Sequence, residues 1–461
     1  MDFLEKLGKA TRNLILDKRE LRKLSTDKSF FRGHMPVAVV RPESTDEVAR
    51  VLKVCNEGNV GVTVHGGGSS LTGASIPKDK GIALDMSGMD RIIEINIEDR
   101  YAVVEPGVVL DDLNKKLSKY GYFYPPDPAS SSMATVGGSL STNAGGLRAV
   151  MYGSTKDWVL GTEAVLPNGA VIRTGERTLK RSIGYDLTAL LVGSEGTLAV
   201  ITKAILKIWP KPAAMALAVA YYSRIEDAGN AVGKLKTIGI TPLNAEFMDD
   251  VSMGFMRRYS GVSFPKDAKY VVFVEIATTK GSIGGTLAAA ERILKKRAIS
   301  VEAARSKKKA DALYSARRQL HVVMTNEASR SKELLMLADV AVPSSRLPDA
   351  LAEMRSLSRK SGLEVAIFGH IGDGNIHANI FSRIGSKTDT AKTDRLLEEF
   401  ARVAIRHDGS VSGEHGIGIA KKKLLREEFE MRGTAYNLEL MKGIKKVFDP
   451  NGILNKGDIF D

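Results

Sequence analysis

The chain is 461 residues long, 43% hydrophobic and 26% charged, with a formal net charge of +13 and a pI near 9.5. That length suits two or three domains with sizeable cores, and the single cysteine, Cys55, excludes an intramolecular disulfide and a cysteine-rich zinc site. The positive charge would favour acidic lipid or nucleic acid, yet the basic residues interleave with acids, as in "AKKKLLREEFEMR", with few aromatics, so nucleic acid is not an expected partner.

Residues 1–35 read as a helical segment, charged throughout and without the apolar core of a secretory signal. Phe3, Leu4, Leu7, Leu14 and Ile15 give it an apolar side, which suits packing on its own domain or peripheral contact with a membrane. The longest apolar run, "AAMALAVAYY" at 213–222, is about half a membrane span, and a cytoplasmic protein is expected. From 36 to 212, short strands alternate with helices. "MPVAVVRP" is a strand, and "STDEVARVLKVCNEGN" is a helix capped at Ser44 or Thr45, with Glu47 in its first turn. Cys55 aligns with Val48, Val51 and Leu52 at helical spacing and reads as a buried small hydrophobe. "VGVTVHGGG" is a strand running into a loop, "GIALDMSGM" and "RYAVVEPGV" are further strands, and "LDDLNKKLSKYG" is a helix. Pro210 and Pro212 mark a boundary. Beyond it, 213–420 reads as a mixed α+β domain with the strand "YVVFVEIAT" and basic helices near 283–298 and 390–406. Residues 421–461, with a helix around 434–448, read as a return to the first domain.

The loop "VHGGGSSLTGAS", 64–75, is dense enough in glycine to cradle a phosphate on backbone amides. It is not a dinucleotide fingerprint, because Leu71 stands at the third glycine, nor a nucleotide-hydrolysing P-loop, because Ala74 stands at the lysine. Two more clusters, "PPDPASSSMATVGGSLSTNAGG" and "LVGSEGTLAVITKAIL", follow within the same domain. Three such loops suggest a long, dinucleotide-sized ligand laid along several backbone surfaces.

"FGHIGDGNIHANIF", 368–381, holds two of the seven histidines. A two-residue turn at Asp373-Gly374 would set His370 directly opposite His377, with Asn379 on the same face, so both imidazoles could take one metal ion. In "GSVSGEHGIGIA", Gly413, Gly416 and Gly418 mark an irregular loop that can turn adjacent side chains to one side. Glu414 is then the third ligand of an open metal site, and His415 the general base. In "LYSARRQL", Arg317 or Arg318 is placed to fork a carboxylate.

With "HGGGSSLTG", "PPDPASSSMATVGGSLSTNAGG", "YGSTKDWVLGTEAVLPNG", "GSEGTLAVIT", "GHIGDGNIHAN", "SGEHGIG" and "FDPNGILN", the chain from about residue 30 onward resembles a known family. These are the FAD-dependent D-2-hydroxyacid dehydrogenases of the vanillyl-alcohol oxidase and p-cresol methylhydroxylase fold, which include D-lactate dehydrogenases and the glycolate oxidase flavin subunit. The resemblance implies an α+β fold: a two-subdomain FAD-binding domain and an antiparallel-sheet cap. It implies that Gly66, Gly67, Gly68, Ser69 and Ser70 wrap the FAD pyrophosphate and that Gly73 also belongs to the cofactor site. Pro126, Gly137, Gly138, Ser141, Asn143, Gly145, Glu195, Gly196, Ile201 and Asn455 would line the rest of the cofactor. It further implies that His370, His377 and Glu414 bind a divalent metal, zinc or manganese, that His415 is the base and that Arg317 holds the substrate carboxylate. The partners implied are a small 2-hydroxyacid and an external electron acceptor (quinone, cytochrome or flavoprotein), and a homodimer is compatible with it.

Three positions depart from the family pattern. His65 replaces an arginine common before the glycine triplet and raises covalent tethering of FAD, although non-covalent FAD is the expectation. Lys456 replaces a proline after Asn455, a mild change. In "LMLADVAVP", Leu337 stands where 2-hydroxyglutarate enzymes carry a lysine, which favours lactate or glycolate. The rival readings are a D-2-hydroxyglutarate dehydrogenase, an ether-lipid synthase of the same fold and a non-catalytic flavin-binding subunit.

Overall fold

The computed structural model describes residues 2–259, 263–304 and 307–460; the side chains of 307–313, 315, 316 and 318 lie outside the description. The chain divides into two compact units, one formed by Met1–Gly146, Gly153–Lys211 and Glu414–Asp461, the other by Leu147–Tyr152 and Pro212–Gly413. The division after Lys211 falls at the Pro210/Pro212 pair. The return begins at Glu414 rather than 421, because the 417–420 backbone is hydrogen-bonded within the first unit.

Among the described residues the first unit contains two large sheets and a two-stranded pair, Trp209–Pro210 with Tyr122–Phe123. In one, Ala38–Val40, Ile82–Asp85 and Val62–His65 run parallel, and Leu14–Ile15 adds an antiparallel edge. The central strand Ile82–Asp85 is wholly buried, as expected for a parallel strand covered on both faces. Helix Thr45–Glu57 starts at Ser44, whose hydroxyl accepts from Glu47 N, and buries Val48, Val51, Leu52 and Cys55. Burial pushes the Cys55 thiol up to about 12, which makes it inert. The N-terminal stretch is part of this unit rather than a separate segment. Leu7 is fully buried, and Phe3 and Leu4 pack on the same core, so the apolar side of helix Phe3–Ala10 is covered by its own unit. No helix among the described residues is long and apolar enough to cross a membrane.

The second sheet of this unit is antiparallel: Ile92–Asn96, Tyr101–Val104, Val200–Lys207, Val159–Val165 and Val171–Gly175 in that order. On its fourth strand Val159–Val165, Glu163 stands in register with Lys203 and Arg173, which donate to it at 2.7 and 2.9 Å. Burial opposes its charge, but these two cations and Thr45 outweigh it and hold the carboxyl at about 2, below its ordinary 4.5. A depressed acid stabilises the fold above its unfolded value and loses that contribution as pH falls from about 4.5 toward about 2. Glu163→Gln is therefore expected to lower the melting temperature at pH 7, with the gap to wild type narrowing below pH 4.5. Melting curves recorded from pH 7 downward check this, and a gap independent of pH would refute it.

The second unit is built on a seven-stranded, wholly antiparallel sheet. Its order is Ser300–Ala304, Ala214–Tyr222, Tyr270–Thr278, Asn244–Met248, Val365–Gly369, Asn375–Arg383 and Glu333–Ala341. Helices cover both faces, which explains the run at 213–222: Ala216, Ala218, Ala220 and Tyr222 join one core, Leu217, Val219 and Tyr221 the other. Helices Ile225–Thr237, Ile283–Leu294, Leu347–Ser361 and Lys387–Arg406 supply the first core, and Asp250–Tyr259 and Lys307–Arg330 the second.

The hairpin at 368–381 differs from its expected register. Phe368, not His370, stands opposite His377, and the turn comprises four residues, 371–374. The neighbouring backbone decides this: Gly372 N donates to Ala245 O, Val342 N donates to Gly374 O, and Asp373 N and Asn375 N both donate to His370 O.

Candidate functional site

In the first unit, strand Val62–His65 ends buried, and the loop Gly66–Leu71 beyond it is half-buried until the chain is covered again at Thr72. A Cβ on Gly66 would meet Thr135 Oγ1 at 2.6 Å, and one on Gly67 would meet the Met133 carbonyl oxygen at 1.9 Å. The first glycine cluster thus rests directly on the second, an approach only glycine permits. Thr135 caps helix Val136–Thr142 through Gly138 N, while Gly137 N donates to Pro106 O. Ser70 Oγ accepts from Thr72 N and Ala74 N and turns the chain toward buried Gly73. His65 donates Nδ1–H to Gly66 O at 2.9 Å, and burial lowers its pKa, so the ring is neutral. Its Nε2 is buried without a hydrogen-bond partner beside Gly68. A half-open glycine loop packed backbone to backbone on the second cluster is a surface against which a bound cofactor such as FAD can lie close to the chain.

The third cluster locks onto the second: Glu195 N donates to Ser141 O at 2.7 Å and Gly193 N to Leu140 O at 2.8 Å. The Glu195 carboxylate is engaged within the chain. It is 4% exposed and accepts Ile417 N and Gly418 N, each at 2.7 Å. Burial raises its pKa and the two amides pull it back, the net direction being upward. Asn455 is likewise committed within the chain, accepting from Val64 N at 2.8 Å and donating to Glu195 O at 2.7 Å. Both side chains tie together the segments around the glycine clusters. Asn143 ends its helix in the left-handed region, its Oδ1 taken by Ser154 Oγ and Lys156 N. Ile201 pairs with Ala164, and Pro126 is buried in the stretch after Phe123. Gly196 has a positive φ and packs on Asn455, while Gly145 borders Glu414, whose Cβ would lie 3.3 Å from a Cβ there.

Residues 411–418 form no regular strand, as the three glycines predicted. Thr72 O accepts from Ile419 N and Ala420 N, and Thr72 Oγ1 donates to His415 O, so this segment is tied to the loop that follows the glycine triplet. Glu414 and His415 are half-buried side by side, Oε1 to Nε2 3.5 Å.

In the second unit, His370 and His377 come together despite the shifted register. Phe368 and His370 are two residues apart on one face, so His370 lies diagonal to His377, ring centroids 5.2 Å apart and nearly perpendicular. Asp339 stands in register with His377 and accepts from Asn375 Nδ2 and Gly413 N, which fixes the chain immediately before Glu414. Asn379 is fully buried, and neither of its amide atoms has a hydrogen-bond partner; Leu337 stands opposite it. Arg317, 5% exposed on helix Lys307–Arg330, lies 4.7 Å over the Phe368 ring and donates to Glu246 Oε2 at 2.5 Å. Glu246 Oε1 takes His370 Nδ1 at 2.6 Å. Arg317 Nε is buried without a partner, and the Arg318 side chain lies outside the described residues.

Sequence reasoning missed Glu246 and the anchoring role of Asp339. The signal was an acid flanked by apolar residues within a strand, Glu246 in "NAEFM" and Asp339 in "ELLMLADVA", a placement that requires compensation.

Residues 36–175 match an FAD binding domain and residues 211–459 the C-terminal domain of FAD linked oxidases. The chain is 36% identical to glycolate oxidase subunit GlcD of Bacillus subtilis (strain 168), over 92% of this chain and 89% of that protein. It is 35% identical to a D-lactate dehydrogenase of Archaeoglobus fulgidus, over 91% of this chain and 90% of that protein. Substrate-bound p-cresol methylhydroxylase shares the fold, with a TM-score of 0.81 at 18% identity over 100% of this chain and 96% of that one. The chain belongs to the FAD-linked oxidases, in the family of D-2-hydroxyacid dehydrogenases that holds the D-lactate dehydrogenases and glycolate oxidase flavin subunits, and it is an FAD-dependent oxidoreductase.

Proposed function

We propose that the protein oxidises a small D-2-hydroxyacid, D-lactate or glycolate, to its 2-oxoacid and passes the electrons to an external quinone, cytochrome or flavoprotein. The observation that carries this reading is the buried polar set of the second unit. Arg317 Nε and the Asn379 amide are covered yet unpartnered, as expected of groups that complete their hydrogen bonds on a small anionic substrate. Leu337, in register with Asn379, offers no cation for a second carboxylate, so the chemistry favours a monocarboxylate.

Arg317 holds the substrate carboxylate through charge-assisted hydrogen bonds, its plane fixed by Phe368 and Glu246. His370, His377 and Glu414 would hold a divalent cation, zinc or manganese; two imidazoles and a carboxylate are a suitable donor set for an open site. When bound, that cation would supply charge that acidifies the substrate hydroxyl, and non-covalent FAD would supply N5 as acceptor of the hydride from C2. His415 takes the hydroxyl proton, so two electrons and two protons leave the substrate in all. The soluble unit works in the cytoplasm in this reading, with peripheral contact to a membrane where the acceptor is a quinone.

The test is the visible spectrum of the purified protein under anaerobic D-lactate or glycolate, with and without prior chelation. A flavin spectrum that bleaches with D-lactate but not L-lactate, and only with metal present, is expected. Bleaching unaffected by chelation would remove the metal. An oxidised spectrum with both acids would move the substrate to longer 2-hydroxyacids.

A further inference from the structure

We propose that Glu246 is a positioning residue that sets the orientation of Arg317 and the tautomer of His370 together; this rests on the metal-assisted reading above. Glu246 sits mid-strand in Asn244–Met248, between Tyr270–Thr278 and Val365–Gly369. Its neighbours Ala245 and Phe247 turn into one apolar core, so its own side chain enters the opposite face, where it is fully buried. A carboxylate in that place carries a desolvation cost, and an apolar residue of similar volume would serve packing as well or better. Its two oxygens divide cleanly: Oε2 accepts from Arg317 Nη2 at 2.5 Å and Oε1 from His370 Nδ1 at 2.6 Å.

Two consequences follow from a carboxylate that only accepts. The His370 proton is drawn to Nδ1, which puts the ring's donor pair on Nε2, the nitrogen turned from Glu246 and suited to a metal ion. The guanidinium is clamped on one edge and stacked over Phe368, which leaves the unpartnered Nε as a fixed donor rather than one of several rotamers. One buried acid thereby couples the residue for the substrate carboxylate to a residue for the metal. Glu246→Gln keeps the shape but has a single acceptor, so its amide nitrogen must face either Arg317, donor against donor, or His370, which accepts it only as the Nε2–H tautomer.

The test uses FAD-loaded protein, zinc ion as the probe and a chromophoric chelator as competitor. Glu246→Gln is expected to weaken zinc binding about 10- to 100-fold, the range for loss of such a partner. The KM for D-lactate should rise more than kcat falls, with flavin content and spectrum unchanged. In metal-free protein, 15N-histidine spectra should give His370 as the Nδ1–H tautomer in wild type and a changed ratio in Glu246→Gln. Equal zinc affinity and an unchanged His370 spectrum in the variant, with or without a lower melting temperature, would overturn the proposal and leave Glu246 a structural counter-ion. If Glu246→Gln does not fold, Glu246→Asp is measured instead: it keeps both acceptors one methylene short, and unchanged zinc affinity and tautomer there would equally overturn it. Wild-type protein that binds neither zinc nor manganese would sink the metal reading, a separate failure, because the tautomer measurement requires no metal.

Discussion

His415→Asn is expected to slow reduction of the flavin by the 2-hydroxyacid by about 10²- to 10⁴-fold, the usual worth of a positioned general base. FAD content and melting temperature should stay at wild-type values. The separation of effects follows from how the residue is held. The backbone of His415 is fixed through its carbonyl by Thr72 Oγ1, and the segment after it by Glu195 and Thr72, none of which uses the imidazole. The ring itself is half-buried beside Glu414. Asparagine keeps a polar side chain of smaller size and cannot take a proton, so the loss falls on chemistry. Stopped-flow reduction without oxygen, with substrate saturating, separates it from binding. A variant that reduces its flavin at the wild-type rate would remove His415 from the proposed role and return attention to Glu414.

Much of the first unit was legible because its signals are local. Ser44, Glu47 and the spacing of Val48, Val51, Leu52 and Cys55 define a capped amphipathic helix without reference to anything distant, and the helix is there. The glycine clusters announce close backbone approach, and the structure stacks the first on the second. The residues that join the clusters were less legible. Glu195 and Asn455 lie inside motifs read as cofactor contacts, and nothing local signals that their side chains also reach Ile417, Gly418 and Val64, more than 200 residues away in sequence. Glu246 meets partners 71 and 124 residues on, a coincidence no periodicity encodes. The Asp373-Gly374 turn shows the converse. Its dipeptide favours a two-residue hairpin in isolation, but backbone hydrogen bonds with Ala245 and Val342 of neighbouring segments accompany a four-residue turn. The pairing of His370 with His377 survives because a shift of two residues in register preserves the face.

Gly67→Ala tests the stacking of the two glycine clusters most severely. The added Cβ would lie 1.9 Å from the Met133 carbonyl oxygen and 2.9 Å from its carbon. Both are backbone atoms, and the Met133–Ala134 segment is itself pinned, with Met133 N and Ala134 N donating to Ser130 O and Leu110 N to Ala134 O. No side chain can swing aside, so the loop must lift away from 133–135 and the phosphate cradle opens with it. Overpacking of this kind costs about 1–3 kcal/mol or more in stability, and the reshaped loop should cost FAD occupancy as well. The variant is therefore expected to purify largely colourless and to melt lower, with partial recovery of both on adding excess FAD, since ligand binding adds to stability by mass action. Gly285→Ala is the matched control. It lies in helix Ile283–Leu294 with nothing within 4 Å of the added methyl, and alanine there should be neutral or stabilising by about 0.5–1 kcal/mol. The ratio of flavin to protein absorbance on purification decides the matter. Full occupancy in Gly67→Ala would mean that the loop tolerates a side chain, and would take the FAD diphosphate off these amides.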